Sequence, residues 1–169
     1  MDQSYLRKDA EQSEKDQMQL VGFKIGKEQF GVDILMVQEI IRSAPITAVP
    51  NSPDFIEGVI NLRGSIIPVI DLRKRLNLLK KKGAEESPVT WIIIINVDER
   101  VTGFIVDSVT KVLKIQTSTI EPPPDIVVAG LKSQYIRGVC EIGAGLLILL
   151  DFSKILEIKE IKKLKEIEG

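Results

Sequence analysis

The 169-residue sequence predicts a mainly β protein of two related lobes, and three observations carry that prediction. The stretches "FIEGVINLRGSIIPVIDL", Phe55 to Leu72, and "YIRGVCEIGAGLLILLDF", Tyr135 to Phe152, keep the same apolar positions without a gap. Upstream, "GVDILMVQEII" from Gly31 resembles "GFIVDSVTKVL" from Gly103, with Val37 matching Val109 and Ile40 matching Val112. Short β-branched runs recur throughout, separated by turn residues at the spacing of a small barrel or sandwich. The repeat offset grows from 72 to 80 residues between the two matches, because the second connector, "QTSTIEPPPDIVVAGLKSQ", is longer and holds three successive prolines. The pattern is that of an internal duplication.

Taken in order, residues 1–16 are polar and lack the apolar core of a secretory signal, so a disordered tail is expected and nothing directs the chain out of the cytoplasm. "LVGFKI" and "QFGVD" form a strand pair joined at "GKEQ". "ILMVQEII" fits a helical spacing, but Val37, Ile40, Ile41 and the following Pro45 favour a strand preceded by one helical turn. Phe55 to Leu72 reads as strand, tight turn, strand, with Gly64 supplying a positive φ and Arg63 projecting outward from the corner. Pro68 lacks a ladder donor, which predicts a sheet edge. Asp71 ends that strand as the cap of a helix expected over 72–79, leaving 17–82 as the first lobe and 83–88 as a connector.

The second lobe, 89–158, repeats the plan with "VTWIIIINV" and "VTGFIVD" joined at "DERV", then "KVLKI" and the hairpin after Tyr135. Exchange of terminal elements between lobes stays open. Asp151 caps a final helix whose apolar residues Ile155, Ile158, Ile161, Leu164 and Ile167 recur every third position. That period drifts around a helix of 3.6 residues per turn, so only the first turns, through Ile158 or Ile161, are expected to pack, and 159–169 is read as a charged helical tail.

Composition excludes much chemistry. Formal charge is −1, with 23 basic against 24 acidic residues, so no general attraction to nucleic acid is expected. No apolar run approaches the roughly 18 residues that span a bilayer, which argues against membrane insertion. There is no histidine to serve as general base, metal ligand or phosphohistidine carrier, and the single Cys140 aligns with Ile60 as core filler. No phosphate loop, serine elbow or metal cluster is present, so no cofactor and no metal are expected. The matched Asp71 and Asp151 read as helix caps before they read as a catalytic dyad. Three functions are compatible with a fold of this kind: a non-catalytic scaffold, which the composition favours, a small β-barrel module binding nucleic acid or a metabolite, and an enzyme using Asp71, Asp151 and lysines.

What remains is the turn in "NLRGS", where an exposed arginine on a rigid hairpin suits capture of a carboxylate or backbone carbonyls on another protein. Together "GVDILMVQEII", "FIEGVINLRGSIIPVIDL" and the trailing "YIRGV" and "LLILLD" resemble the CheW family of chemotaxis coupling proteins, over about Met18 to Ile158. The resemblance implies two SH3-like five-stranded β-barrel lobes that enclose a groove, followed by a C-terminal helix. It implies a non-catalytic adaptor linking the cytoplasmic tip of a chemoreceptor, a methyl-accepting chemotaxis protein, to the regulatory domain of the histidine kinase CheA. It places Val37 and Glu39 on an interaction strand, Gly58 at the entry to the hairpin, Arg63 near the receptor-facing groove, and Val106 opposite, in the second lobe. Nothing in the family pattern accounts for the lysine- and glutamate-rich C-terminus.

Overall fold

The β-branched runs fold as strands, and the computed structural model of the chain describes residues 16–78, 90–123, 133–143 and 145–156. Within these, β1 (Gln17–Ile25), β2 (Glu28–Asp33), β3 (Val37–Arg42), β4 (Ile56–Leu62) and β5 (Ser65–Asp71) precede β6 (Trp91–Val97), β7 (Arg100–Val106), β8 (Ser108–Gln116), β9 (Ile136–Ile142) and β10 (Gly145–Leu150). Single helical turns α1 (Leu72–Arg75) and α2 (Phe152–Ile155) follow the two matched hairpins, and a 3-10 turn, Ile34–Met36, precedes β3. The expected N-terminal tail, apart from Asp16, the 83–88 connector and the 159–169 tail lie outside the described residues.

The strands form two five-stranded sheets, in the orders β8-β1-β2-β10-β9 and β3-β6-β7-β5-β4. Each sheet therefore takes the first two strands of one repeat and the last three of the other. The second sheet is drawn from 37–106 without interruption, and the first from the stretches on either side. The 83–88 connector marks the boundary of the repeats and not of the sheets. After β2 the Ile34–Met36 turn, capped by Asp33 Oδ1 accepting from Leu35 N at 3.0 Å, leads the chain to β3, which pairs with β6.

The duplication read from the apolar pattern is reproduced bond by bond. Asp71 N donates to Phe55 O at 2.8 Å and Asp151 N to Tyr135 O at 2.8 Å. Both hairpins shift register beside a glycine, between Ile56 and Gly58 in one and at Gly138 opposite Leu149 in the other. Each sheet has one parallel contact, β5 with β7 and β10 with β2, and each curls toward closure through one bridge, Thr47 with Val59 or Glu121 with Val139. The lobes are SH3-like but not closed barrels.

Pro68 does not mark an edge, because β5 lies between β7 and β4. Val59, opposite Pro68, exchanges both backbone bonds with Thr47 at 2.9 Å, so this pair makes no ladder bond and the missing N–H of Pro68 faces β7. The β5–β7 ladder begins one residue later, at Val69 with Gly103. A proline is tolerated there because it stands just before the ladder starts.

A shared core lies between the lobes and includes Phe23, Phe30, Phe104, Ile148 and Phe152. Phe23 stacks on Phe30 at 5.6 Å, and Phe104 meets Phe152 edge-on at 5.0 Å. Ile92 to Ile95 are all buried, the signature of a central strand covered on both faces. Cys140 is buried with Leu20, Leu147 and Leu149 in a satellite cluster. Arg75 sits between Phe55 and Tyr135, its guanidinium 4.8 and 5.1 Å from the ring centres, while Nε donates to Ile155 O at 2.9 Å and one terminal nitrogen to Tyr135 Oη at 3.1 Å. Asp107 Oδ2 accepts from Gly26 N at 2.6 Å and from the Arg73 guanidinium at 2.7 Å, tying the β1–β2 turn to α1. Both capping aspartates act as expected: Asp71 Oδ1 accepts from Arg73 N at 3.0 Å, and Asp151 Oδ1 from Lys154 N at 3.2 Å.

Arg75→Ala is expected to cost about 2–3 kcal/mol in urea unfolding, from a lost cation–π sandwich and buried hydrogen bonds, with Arg75→Lys recovering less than half. Burial, outweighing the cap bonds from Lys74 and Arg73, holds the Asp71 carboxyl above its ordinary value of 3.8. A raised carboxylate favours the fold below its unfolded value and loses that contribution as pH rises through the folded one. Asp71→Asn keeps the cap acceptor without the charge, so its stability should improve relative to the parent between about pH 3 and about pH 6. A variant that instead loses ground over that interval would show that the cap bonds outweigh burial.

Candidate functional site

Leu62 pairs with Ser65, so the β4–β5 connection is a two-residue turn whose central residues, Arg63 and Gly64, have φ of 51° and 87°. Two positive φ values give the twist a tight hairpin needs. The sequence assigned positive φ to Gly64 alone; the structure adds Arg63, in a conformation that costs a side-chain-bearing residue about 1 kcal/mol. The other repeat places Gly143, φ 54°, at the same corner. Asn61 Oδ1 accepts from Gly64 N at 2.9 Å and braces the turn.

The Arg63 side chain is 76% exposed, and its guanidinium donates to Glu39 Oε1 at 2.7 Å. Glu39 lies on β3, where Val37, Glu39 and Ile41 are half-buried and alternate with exposed Gln38, Ile40 and Arg42. The sequence singled out both residues but did not read them as a pair, because 24 positions separate them and only the curl of the sheet brings β3 against the hairpin. In the other lobe the equivalent positions hold Lys111 and Gly143, so the pair belongs to one lobe alone.

Gly58, φ 149°, stands where the closing bridge crosses β4, and a Cβ there would run into the carbonyl oxygen of Thr47. Any side chain at Gly58 would push the 43–49 segment off β4. Val37 is half-buried and packs on the shared core. Val106 is in that core at 1% exposure and presents no side chain to a docking protein. Its strand lies in the same sheet as Arg63 rather than opposite it, and Arg42, Trp91 and Val106 share one line of pairing at the far end of β3 from Val37.

Beside the Glu39–Arg63 pair opens a cavity of about 670 Å³, reaching between the start of β5 and the start of β7 to the last turn at Ile155 and Leu156. It lies where Pro68 delays the parallel ladder. In the other lobe that ladder starts earlier, with Leu147 opposite Gln29 and Ile148 opposite Phe30. Thr102, the buried polar residue facing the cavity, takes the place of Phe30. Exposed apolar residues also recur in equivalent places, Ile40 with Val112 and Ile66 with Leu146. Asp71 and Asp151 each turn their carboxylates to their own helical turn, and among the described residues no three carboxylate or thiol groups come together to hold a metal.

A duplicated β scaffold with equivalent apolar edges and one differentiated, arginine-bearing hairpin defines a docking module. Residues 19–160 match the CheW-like domain family. The chain is 36% identical over 152 residues to the chemotaxis protein CheW of Treponema pallidum, covering 88% of each chain. It is 40% identical over 139 residues to CheW of Klebsiella aerogenes, covering 82% of this chain and 81% of that one. The crystal structure of the scaffolding protein TtCheW from Thermoanaerobacter tengcongensis superposes with a TM-score of 0.74 at 34% identity, covering 85% of this chain and 90% of that chain. The chain belongs to the CheW family of chemotaxis coupling proteins.

Arg63→Gly should leave stability unchanged or raise it by up to about 1 kcal/mol, since an exposed ion pair contributes little and relief of the left-handed backbone offsets its loss. Thermal melts of the parent and the variant check this. A marked fall in melting temperature would make Arg63 a structural residue.

Proposed function

We propose that this chain is a non-catalytic cytoplasmic adaptor that couples the cytoplasmic tip of a chemoreceptor to the regulatory domain of a CheA-type histidine kinase in the receptor array. The observation that carries the proposal is the asymmetry of the repeat: both lobes keep matched apolar edge residues, and one alone carries the Glu39–Arg63 hairpin. An adaptor needs two surfaces that are occupied together, and a duplicated lobe supplies them.

The receptor's helical hairpin lies against the face of Val37, Glu39 and Arg63, and Gly58 holds the closing segment behind it. The kinase's own β-barrel domain docks end to end on an apolar lobe edge. Charge carries the receptor contact and apolar strand edges carry the kinase contact, so the first is the more salt-sensitive. No helix among the described residues is long and apolar enough to cross a membrane, which fits attachment through partners.

The test is sedimentation of the protein with a receptor cytoplasmic fragment and with the kinase, separately and together. Both partners should cosediment with the adaptor. Displacement of the kinase domain by saturating receptor fragment would show overlapping sites and end the bridging mechanism. Arg63→Ala should weaken receptor association by about 1–3 kcal/mol and leave kinase binding unchanged. In Glu39→Arg combined with Arg63→Glu the ion pair is rebuilt in reverse; receptor binding stays lost if Arg63 itself contacts the receptor, and returns if the pair merely braces the turn.

A further inference from the structure

We propose that the cavity between β5 and β7 is a binding site for a small aliphatic monocarboxylate, its carboxylate held by Thr102 and Arg100 and its hydrocarbon body by the end of the shared core. Both polar residues lie on β7 two positions apart, so their side chains leave the same face of the strand, the face that also carries the core residues Phe104 and Val106. Thr102 is only 3% exposed, yet its hydroxyl makes no hydrogen bond with any of the described residues. A buried hydroxyl without a partner is costly, and nearly all such groups in folded proteins find one. The other lobe avoids the problem by placing Phe30 at this position, fully buried and stacked on Phe23.

The Arg100 guanidinium is more exposed than Thr102 and is loosely held. One terminal nitrogen is 3.4 Å from Leu156 O and the other 3.7 Å from Asp98 Oδ2, both long for charge-assisted bonds. Its capacity for a planar, two-pronged contact with a carboxylate is unused. Phe55, Ile56, Ile70 and Leu156 supply an apolar part of the lining, and Gln38, Glu39, Arg63, Ser65 and Glu99 make another part polar, with two carboxylates that an anionic head must keep away from. About 670 Å³ is within the range of small-molecule sites, and apolar walls with a few convergent polar groups are their usual composition. An acceptor-bearing head fits Thr102 and Arg100, and a hydrocarbon body fits Phe55, Ile56, Ile70 and Leu156.

The proposal is independent of the adaptor assignment, and its test uses the full chain alone, with octanoate as the probe and octanol as the control. Amide-resolved NMR titration should give saturable shifts centred on Arg100, Thr102 and Ile70. Octanol should bind at least about tenfold more weakly, the loss expected when a charge-assisted contact is removed. Thr102→Phe, which copies the other lobe, should abolish binding. Thr102→Val keeps the shape of the side chain and should weaken octanoate several-fold while raising the melting temperature, so a failure of the larger variant to fold does not end the test. Shifts that do not saturate, shifts centred on Val112 and Leu146 in the other lobe, or undiminished binding to Thr102→Val would overturn the proposal. If a receptor fragment shifts Thr102 and octanoate does not, the cavity belongs to the docking surface and takes a protein side chain instead.

Discussion

Arg75 holds the two lobes together at the point where the duplication meets itself. The rings that enclose its guanidinium, Phe55 and Tyr135, occupy the same place in the two repeats, and the carbonyl it reaches belongs to Ile155, its own counterpart in the second repeat. Because each sheet exchanges its first two strands with the other repeat, one lobe is the continuous stretch 37–106 and the other is built from the segments on either side of it, so the chain crosses between lobes close to this contact. Phe104 from one sheet against Phe152 beyond the other extends the same junction into the core. Asp107, bonded to Gly26 and Arg73, fixes the far side. The relative placement of the lobes thus depends on a few cation–aromatic and charge-assisted contacts laid over a large apolar area, which is why one planar guanidinium matters more than its single charge suggests.

On that frame the repeats differ at a few positions, and those differences fall together. Arg63 stands for Gly143, Glu39 for Lys111, Pro68 for Ile148 and Thr102 for Phe30. The first two create an ion pair across the curl of one sheet. At the last two, a parallel ladder of the same three pairs starts two residues later and a ring is absent, beside the cavity that flanks that pair. One lobe thus carries an ion pair and a cavity where the other is packed, and subtracting one copy from the other isolates the positions at which they differ.

Much of this was legible in the sequence because apolar periodicity and turn chemistry are local. The hairpins, the connectors at "GKEQ" and "DERV", the helical turn before β3 and the caps at Asp71 and Asp151 all follow from residues within a few positions of one another. The exchange of strands between sheets did not follow, since the offset that reveals a repeat is the same whichever copy a strand joins. Pro68 misled for a related reason: a missing donor shows that one ladder bond is absent, but not whether the strand has a neighbour just beyond. Glu39 and Arg63 were visible separately, and their contact was not, because closure of the sheet is a tertiary event. Thr102 carried a signal that went unread, a small polar residue at the repeat position of a phenylalanine.

The corner at Arg63 shows how such a site is tolerated. A left-handed arginine costs free energy that Gly143 avoids, and the exposed pair with Glu39 returns only part of it. The side chain stands outside the shared core, so the strain is confined to the turn, where Asn61 already braces Gly64. A rigid two-residue hairpin fixes the position of the Arg63 Cα and the direction of its Cα–Cβ bond, so the backbone need not be ordered when the guanidinium meets a carboxylate or carbonyl. The strain at this corner and the outward presentation of its guanidinium are therefore two consequences of the same backbone geometry.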